Sequence, residues 1–145
     1  MVEEDAVDVL LACMGRLRHH AAGAWRDLDL TPPLAMALRE LQDGPRSQRE
    51  LASSLGYDPS NITALADKLE ARGLVERRVD PDDRRVKKLV LSGTGRSLLQ
   101  AMRARMREGN PLTTNLSATE QDQLLRLLRK ATAGSGGRPR SATTR

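Results

Sequence analysis

Phenylalanine is absent from the 145 residues, and Trp25 and Tyr57 are the only other aromatics. Burial must then come from Leu, Val, Ile, Met and Ala, which argues for helices carrying aliphatic residues at three-and-four spacing and against a β-sandwich. Cys13 stands alone, which excludes an intrachain disulfide. The longest apolar run is only Val9 to Met14 and the start, MVEED, is acidic. Neither a membrane span nor a cleavable signal is expected, and the cytoplasm is the expected location. His19 and His20 are adjacent, not four apart on one helical face, so no metal site is expected. There is no Ser/His/Asp set, no carboxylate pair in an apolar setting and no phosphate-cradling glycine loop; neither catalysis nor a cofactor is expected. The aspartates of DPDD lack the ligand spacing and closing glutamate of a calcium loop.

The length suits one domain with a usable core. The net charge of +5 hints at an anionic partner, but Arg138, Arg140 and Arg145 sit in a Gly/Ser/Thr-rich tail and leave the body at only +2. The local cluster is more telling. Arg72, Arg77, Arg78, Arg84, Arg85, Lys87 and Lys88 crowd into 17 residues, diluted by Glu76, Asp80, Asp82 and Asp83. The bland reading of that cluster is a solvated charged ribbon.

Apolar residues from Val7 to Trp25 follow one helical face and give a long first helix. Thr31-Pro32 caps and opens a second that runs to about Gln42, where Asp43-Gly44-Pro45 breaks it. Ser47 and Glu50 form a capping box for a short third helix ended by Gly56. Asp58-Pro59 opens a fourth, with Ile62, Leu65, Ala66 and Leu69 as its inner stripe and Gly73 as its stop. Val75–Val79 and Val86–Leu91, joined by DPDDRR, read as a β-hairpin. Ser92 opens a fifth helix to about Arg107, weakened by Gly93 and Gly95 and stopped by Asn110-Pro111. Ser117 and Glu120 box the start of a sixth, with Leu124, Leu127, Leu128 and Ala131 on one face. Residues 134–145 hold too little apolar surface to order and read as a disordered basic tail.

The third and fourth helices are spaced as a helix-turn-helix, whose second helix presents its outer face to the major groove of duplex DNA. At about 100° per residue, that face carries Ser60, Thr63, Ala64, Asp67 and Ala71, flanked by Asn61 and Lys68. Asn61 suits an adenine edge and Lys68 a phosphate; Ser47, Gln48 and Arg85 complete the set of candidate contacts. A helix pair alone could equally be scaffold with solvated outer residues. The basic hairpin that follows favours DNA, because a ribbon there reaches the adjacent minor groove, where narrow walls focus negative potential on an inserted guanidinium. Arg84 is the natural probe, with Asp82 placed to hold it extended.

The segments LTPPLAMALREL, DGPRSQRELASSLGYDPSNITALADKLEARGLVERRVDPDDRRVKKLVLSGTGR and LSATEQDQLLRLLRK together resemble the MarR family of winged-helix transcriptional regulators, EARGLVERRVDPDDRR being the specific part. The resemblance implies a mainly α fold: a winged helix-turn-helix over about 31–91 with a two-stranded β wing, flanked by dimerisation helices over about 5–27 and 93–133, all within one domain spanning 1–133. It implies a homodimer whose first, fifth and sixth helices interlock, displaying two lobes to a pseudo-palindromic site on double-stranded DNA. The family's Asp-x-Arg falls on Asp82 and Arg84, and its orienting acidic residue on Asp67. Ala64 departs from the long polar residue many relatives carry, and Gly93 from their proline.

Some relatives sense organic hydroperoxides through one cysteine on the first helix. Cys13 raises that alternative, but the aromatic hydroxyl pair of those sensors is missing, Tyr57 being in the DNA lobe. A winged-helix adaptor that binds protein is the other alternative. A small amphipathic or phenolic effector, as the family commonly binds, would lie between the dimer helices and the lobe, where Met14, Leu17, Ala21, Trp25, Met36, Leu99, Met102 and Met106 are candidate lining residues. Plain core packing is the bland reading of each.

Overall fold

Residues 5–133 are described by a computed structural model; the tail expected over 134–145 lies outside the described residues. The Asp5 carboxylate accepts the backbone N–H of Val7 and Asp8 at 2.8 and 2.9 Å and opens helix α1, Ala6–Arg26. Proline at the first turn starts α2, Pro32–Glu40, which tightens into a 3₁₀ turn over Leu41–Asp43 before Gly44. The positive φ of 136° at Gly44 is open to glycine at no steric cost.

Ser47 works as expected. Its hydroxyl accepts the Glu50 N–H at 3.1 Å while its own N–H donates to the Glu50 carboxylate at 2.7 Å, opening α3, Gln48–Leu55. Gly56, in the left-handed region, turns the chain into α4, Pro59–Ala71. Asp58 and Thr31 hold the N-cap positions of α4 and α2 without a side-chain capping bond, so proline rather than a capping oxygen supports both starts.

Strands β2, Val75–Val79, and β3, Lys87–Leu91, form the hairpin, in register from Val75 opposite Leu91 to Val79 opposite Lys87. A third strand, β1, Arg46–Ser47, pairs antiparallel with the other edge of β3, Arg46 opposite Leu89 and Ser47 opposite Lys88. The two-stranded wing is therefore rooted in a three-stranded sheet ordered β1-β3-β2. Two residues are too few to show an alternating pattern, and Ser47 carried the stronger signal of a helix cap. Val86, expected in the second strand, instead closes the turn by donating to Asp83 O and accepting from Asp80 N–H.

The inner stripe of α4 falls where expected, with Ile62, Ala66 and Leu69 fully enclosed and Leu65 nearly so. It packs with Leu38, Leu51, Val75, Leu89 and Met102 into one aliphatic core. Truncating any of the larger members to alanine would cost about 2–5 kcal/mol.

Helix α5, Gly93–Arg107, is capped by Ser92. The chain clusters into two compact units divided after Glu108. In the second, Asn110-Pro111 does more than stop a helix: the Asn110 side chain caps a short α6, Pro111–Thr114, by accepting the Leu112 N–H at 2.9 Å. Ser117 and Glu120 then box α7, Ala118–Thr132, as expected. The apolar residues Leu125, Leu127 and Leu128 on α7 are exposed, as are Val7, Leu10, Leu11 and Met14 on α1.

Candidate nucleic-acid interface

Burial of Ile62, Leu65, Ala66 and Leu69 leaves the opposite face of α4 exposed, and Ser60, Asn61, Thr63, Ala64, Asp67, Lys68 and Ala71 all lie on it. Asn61, Ala64 and Lys68 line one side of a cleft of about 380 Å³ whose other walls include Thr31, Pro33 and Tyr57. The two helices of the motif are tied at their outer edge, where the Thr63 hydroxyl lies 3.2 Å from both Gln48 Oε1 and Pro59 O. Gln48 is therefore engaged with α4 and half-buried. The Ser47 hydroxyl is occupied as a cap, and the Ser47 backbone N–H donating to the Glu50 carboxylate, with the Ser47 side chain second, holds that carboxyl below its ordinary range.

Asp67 meets Arg77 of β2 at 2.5 Å, and Glu70 pairs with the other terminal nitrogen of the same guanidinium. The Asp67 hydrogen bond is the main reason the Arg77 pKa is raised. This fork fastens α4 to the first strand of the wing. Asp67 is thus joined to Arg77, and no contact joins it to Arg84 among the described residues.

At the wing tip, the turn is closed by Asp80 N–H on Val86 O at 2.9 Å and Val86 N–H on Asp83 O at 3.0 Å. Asp82 donates its N–H to Asp80 Oδ1, and Arg85 donates its N–H to Asp83 Oδ1, each at 3.0 Å. Arg84 stands exposed at the apex, and no hydrogen bond or ion pair to another described residue holds its side chain. Asp82 enters the turn through its backbone rather than through a bridge to Arg84. Of the other hairpin cations, Arg78 pairs with Glu76 at 2.8 Å and Lys88 with Asp80 at 2.9 Å.

Of the side chains proposed for DNA, Ser60, Asn61, Thr63, Ala64, Asp67 and Lys68 gather on one α4 face and Asp82, Arg84 and Arg85 at the wing tip, whereas Ser47 and Gln48 stand at the start of α3 and are engaged there. The residues proposed for an effector are more scattered in setting. Ala21, Leu99 and Met102 are buried, Leu17, Trp25 and Met36 are half-buried and Met14 is exposed. The Trp25 indole N–H is enclosed without a hydrogen-bond partner among the described residues, a donor left over by the fold. Cys13 is half-buried.

Sequence reasoning passed over three residues. Arg77 looked like one more ribbon cation; its place on β2 two residues after Val75, facing the α4 carboxylates, required the tertiary arrangement. Asp80 was legible as an aspartate before proline, the usual seed of a side-chain turn. Gly95 looked like a weak helix residue, whereas a Cβ there would stand 2.0 Å from the Leu74 carbonyl oxygen.

The model of the MarR family matches residues 28–86. The chain is 38% identical over 106 residues to the HTH-type transcriptional repressor NicR of Pseudomonas putida, covering 72% of this chain and 67% of NicR. It is 36% identical over 99 residues to the transcriptional repressor MprA of Escherichia coli, covering 67% of this chain and 56% of MprA. Among solved structures, it resembles the MarR family protein Rv2887 of Mycobacterium tuberculosis in complex with DNA, with a TM-score of 0.73 and 27% identity over 89% of this chain and 98% of the other.

Proposed function

The chain belongs to the MarR family, and from that premise we propose that it is a sequence-specific DNA-binding repressor of transcription that acts as a homodimer on a pseudo-palindromic operator. The observation that carries this reading is the pairing of an exposed polar α4 face with an arginine that has no side-chain partner among the described residues, at the tip of a folded wing. The helix serves the major groove and Arg84 the neighbouring minor groove, with Lys68 on phosphate and Asn61 toward base edges, while Thr63, whose hydroxyl proton is held within the motif, offers a base edge only its oxygen as acceptor. Ala64 offers a methyl, which suits contact with a thymine methyl better than a hydrogen bond.

The dimer is supported by the exposed apolar residues of α1 and of α7, each a row that a single chain leaves in water. Two lobes would then sit about one helical turn apart on one face of the duplex. Release by a small amphipathic or phenolic effector is part of the same reading. The enclosed indole N–H of Trp25 supports it, as a donor for the oxygen of such a molecule. Among the described residues no helix is long and apolar enough to cross a membrane, and the proposed site of action is the cytoplasm.

The test is titration of fluorescent duplexes taken from DNA upstream of the coding region, at two salt concentrations. Binding should weaken steeply with salt as phosphate counterions are released, with a slope of about −0.9 per contact neutralised. Indifference to every duplex at low salt would refute the proposal and favour a protein-binding adaptor.

A further inference from the structure

Asp80 is the one acidic side chain that is buried among the described residues, at 9% exposure. Asp80 follows the last residue of β2 and takes part in three hydrogen bonds, two at its carboxylate and one at its backbone. Lys88 Nζ donates to Oδ2 at 2.9 Å, the Asp82 N–H donates to Oδ1 at 3.0 Å, and its own N–H donates to Val86 O at 2.9 Å. Lys88 lies on the middle strand, opposite Ser47 on one side and Arg78 on the other. One carboxylate therefore joins the centre of the sheet to the first turn of the tip. The tip's other bonds, Val86 N–H to Asp83 O and Arg85 N–H to Asp83 Oδ1, lie within the turn and do not anchor it to the sheet.

A buried charge is retained only where its partners offset its loss of water. A turn alone needs no such charge, since the side-chain oxygen of asparagine accepts the same backbone N–H. The Lys88 ammonium would also suit a DNA phosphate, yet here it is directed at Asp80. Arg84, whose side chain has no partner among the described residues, takes its direction from the backbone between 80 and 86.

We propose that Asp80 and Lys88 form the positioning pair of the wing: they hold the tip in one shape before any partner arrives, so that Arg84 is presented rather than searched for, and Lys88 serves this pair instead of a phosphate. Holding a loop in its bound form strengthens binding by removing the ordering cost. The inference rests on the DNA-binding reading for its consequence, but the pair's effect on the free wing does not.

Two measurements separate those parts. In the free protein, Arg84 and Arg85 are the trypsin sites of the tip. Asp80→Asn should speed cleavage after them several-fold while the melting temperature of the protein barely moves. Equal cleavage rates in wild type and Asp80→Asn would overturn the proposal. On duplex DNA, Asp80→Asn should weaken binding about tenfold, and Arg84→Ala by a comparable factor. Because Asp80 acts through Arg84, adding Asp80→Asn to Arg84→Ala should cost less than about twofold further, a coupling read from the double-mutant cycle. Independent, multiplying losses would also overturn it. Should Asp80→Asn fail to fold, Lys88→Gln carries the same two measurements, since it removes the ammonium and leaves the turn's backbone donor. If wild type bound no duplex, the DNA reading would fall and the cleavage rates would still decide the pair.

Discussion

Gly95 and Gly93 stand two residues apart in the first turn of α5, and the structure assigns alanine at the two positions opposite effects. A Cβ on Gly95 would lie 2.0 Å from the carbonyl oxygen of Leu74 and 3.2 Å from Leu91 Cδ2. Contacts under 3.0 Å do not persist, so at least an ångström of retreat is needed. That carbonyl is not free to move, because it accepts the Ser92 N–H at 3.0 Å, while the Ser92 hydroxyl donates to Gly73 O at 2.5 Å. Alanine gains about 1 kcal/mol over glycine from helix propensity. Against this, forced overpacking costs about 1–3 kcal/mol, and a strained Ser92–Leu74 bond about 1 kcal/mol more. The net loss is about 1–3 kcal/mol, or about 4–12 °C in Tm at roughly 4 °C per kcal/mol. Around Gly93 nothing lies within 4 Å and the backbone is compatible with a side chain, so Gly93→Ala should stabilise by about 0.4–1 kcal/mol. Thermal melts of both variants by circular dichroism test the pair. A Gly95→Ala protein that melts at or above wild type would refute the close-approach argument.

Lys68→Ala should weaken all duplexes alike and lower the slope of log K against log salt by about one, read from titrations at several salt concentrations. Acid sensitivity should arise in part at the capping boxes. The Glu50 and Glu120 carboxyls are held below their ordinary range first by the backbone N–H of Ser47 and Ser117. A folded-state pKa below the unfolded one gives stability that is complete above the unfolded value, roughly 4.3, and is lost as pH falls through the folded value. Urea midpoints at stepped pH should therefore fall more steeply below pH of about 4 for wild type than for a Glu50→Gln/Glu120→Gln double variant.

What was legible in the chain was whatever local chemistry decides. The Ser47 and Ser117 boxes, the Gly56 and Gly73 stops and the α4 stripe each rest on residues no more than seven positions apart, and each formed where its pattern placed it. The exposed α4 face followed from the same stripe by geometry alone. What escaped depends on residues far apart in sequence. Strand β1 exists because Arg46 and Ser47 meet Leu89 and Lys88, more than forty positions on. The direction of Asp67 was set by Arg77, a partner on another element that competes with any more distant arginine. Short helix α6 hid because Asn-Pro signals both an end and a beginning, and only the chain beyond it decides which.

The bonds around Gly95 also bear on how a signal could reach DNA. Ser92 joins Gly73 and Leu74, Arg96 Nη1 donates to Leu91 O at 2.9 Å, and Gly95 lets the helix sit directly on the Leu74 backbone. Helix α5 is thus fixed both to the residues that lead into the wing, Gly73 and Leu74, and to its last residue, Leu91. The Arg77 fork also joins the wing to α4, so direct contacts link α4, the wing and the first turn of α5. On the proposed reading, an effector acts on a lobe joined in this way as a unit, and the adjustable quantity is the distance between the two lobes of a dimer. An effector that favours one α5 orientation by on the order of 1–3 kcal/mol would move the whole lobe with it and would need no relay through the lobe's core. It follows that loosening the joint and loosening the wing should differ in outcome. Gly95→Ala should blunt the effector's influence on DNA affinity, whereas Asp80→Asn should lower the affinity and leave the ratio with and without effector unchanged.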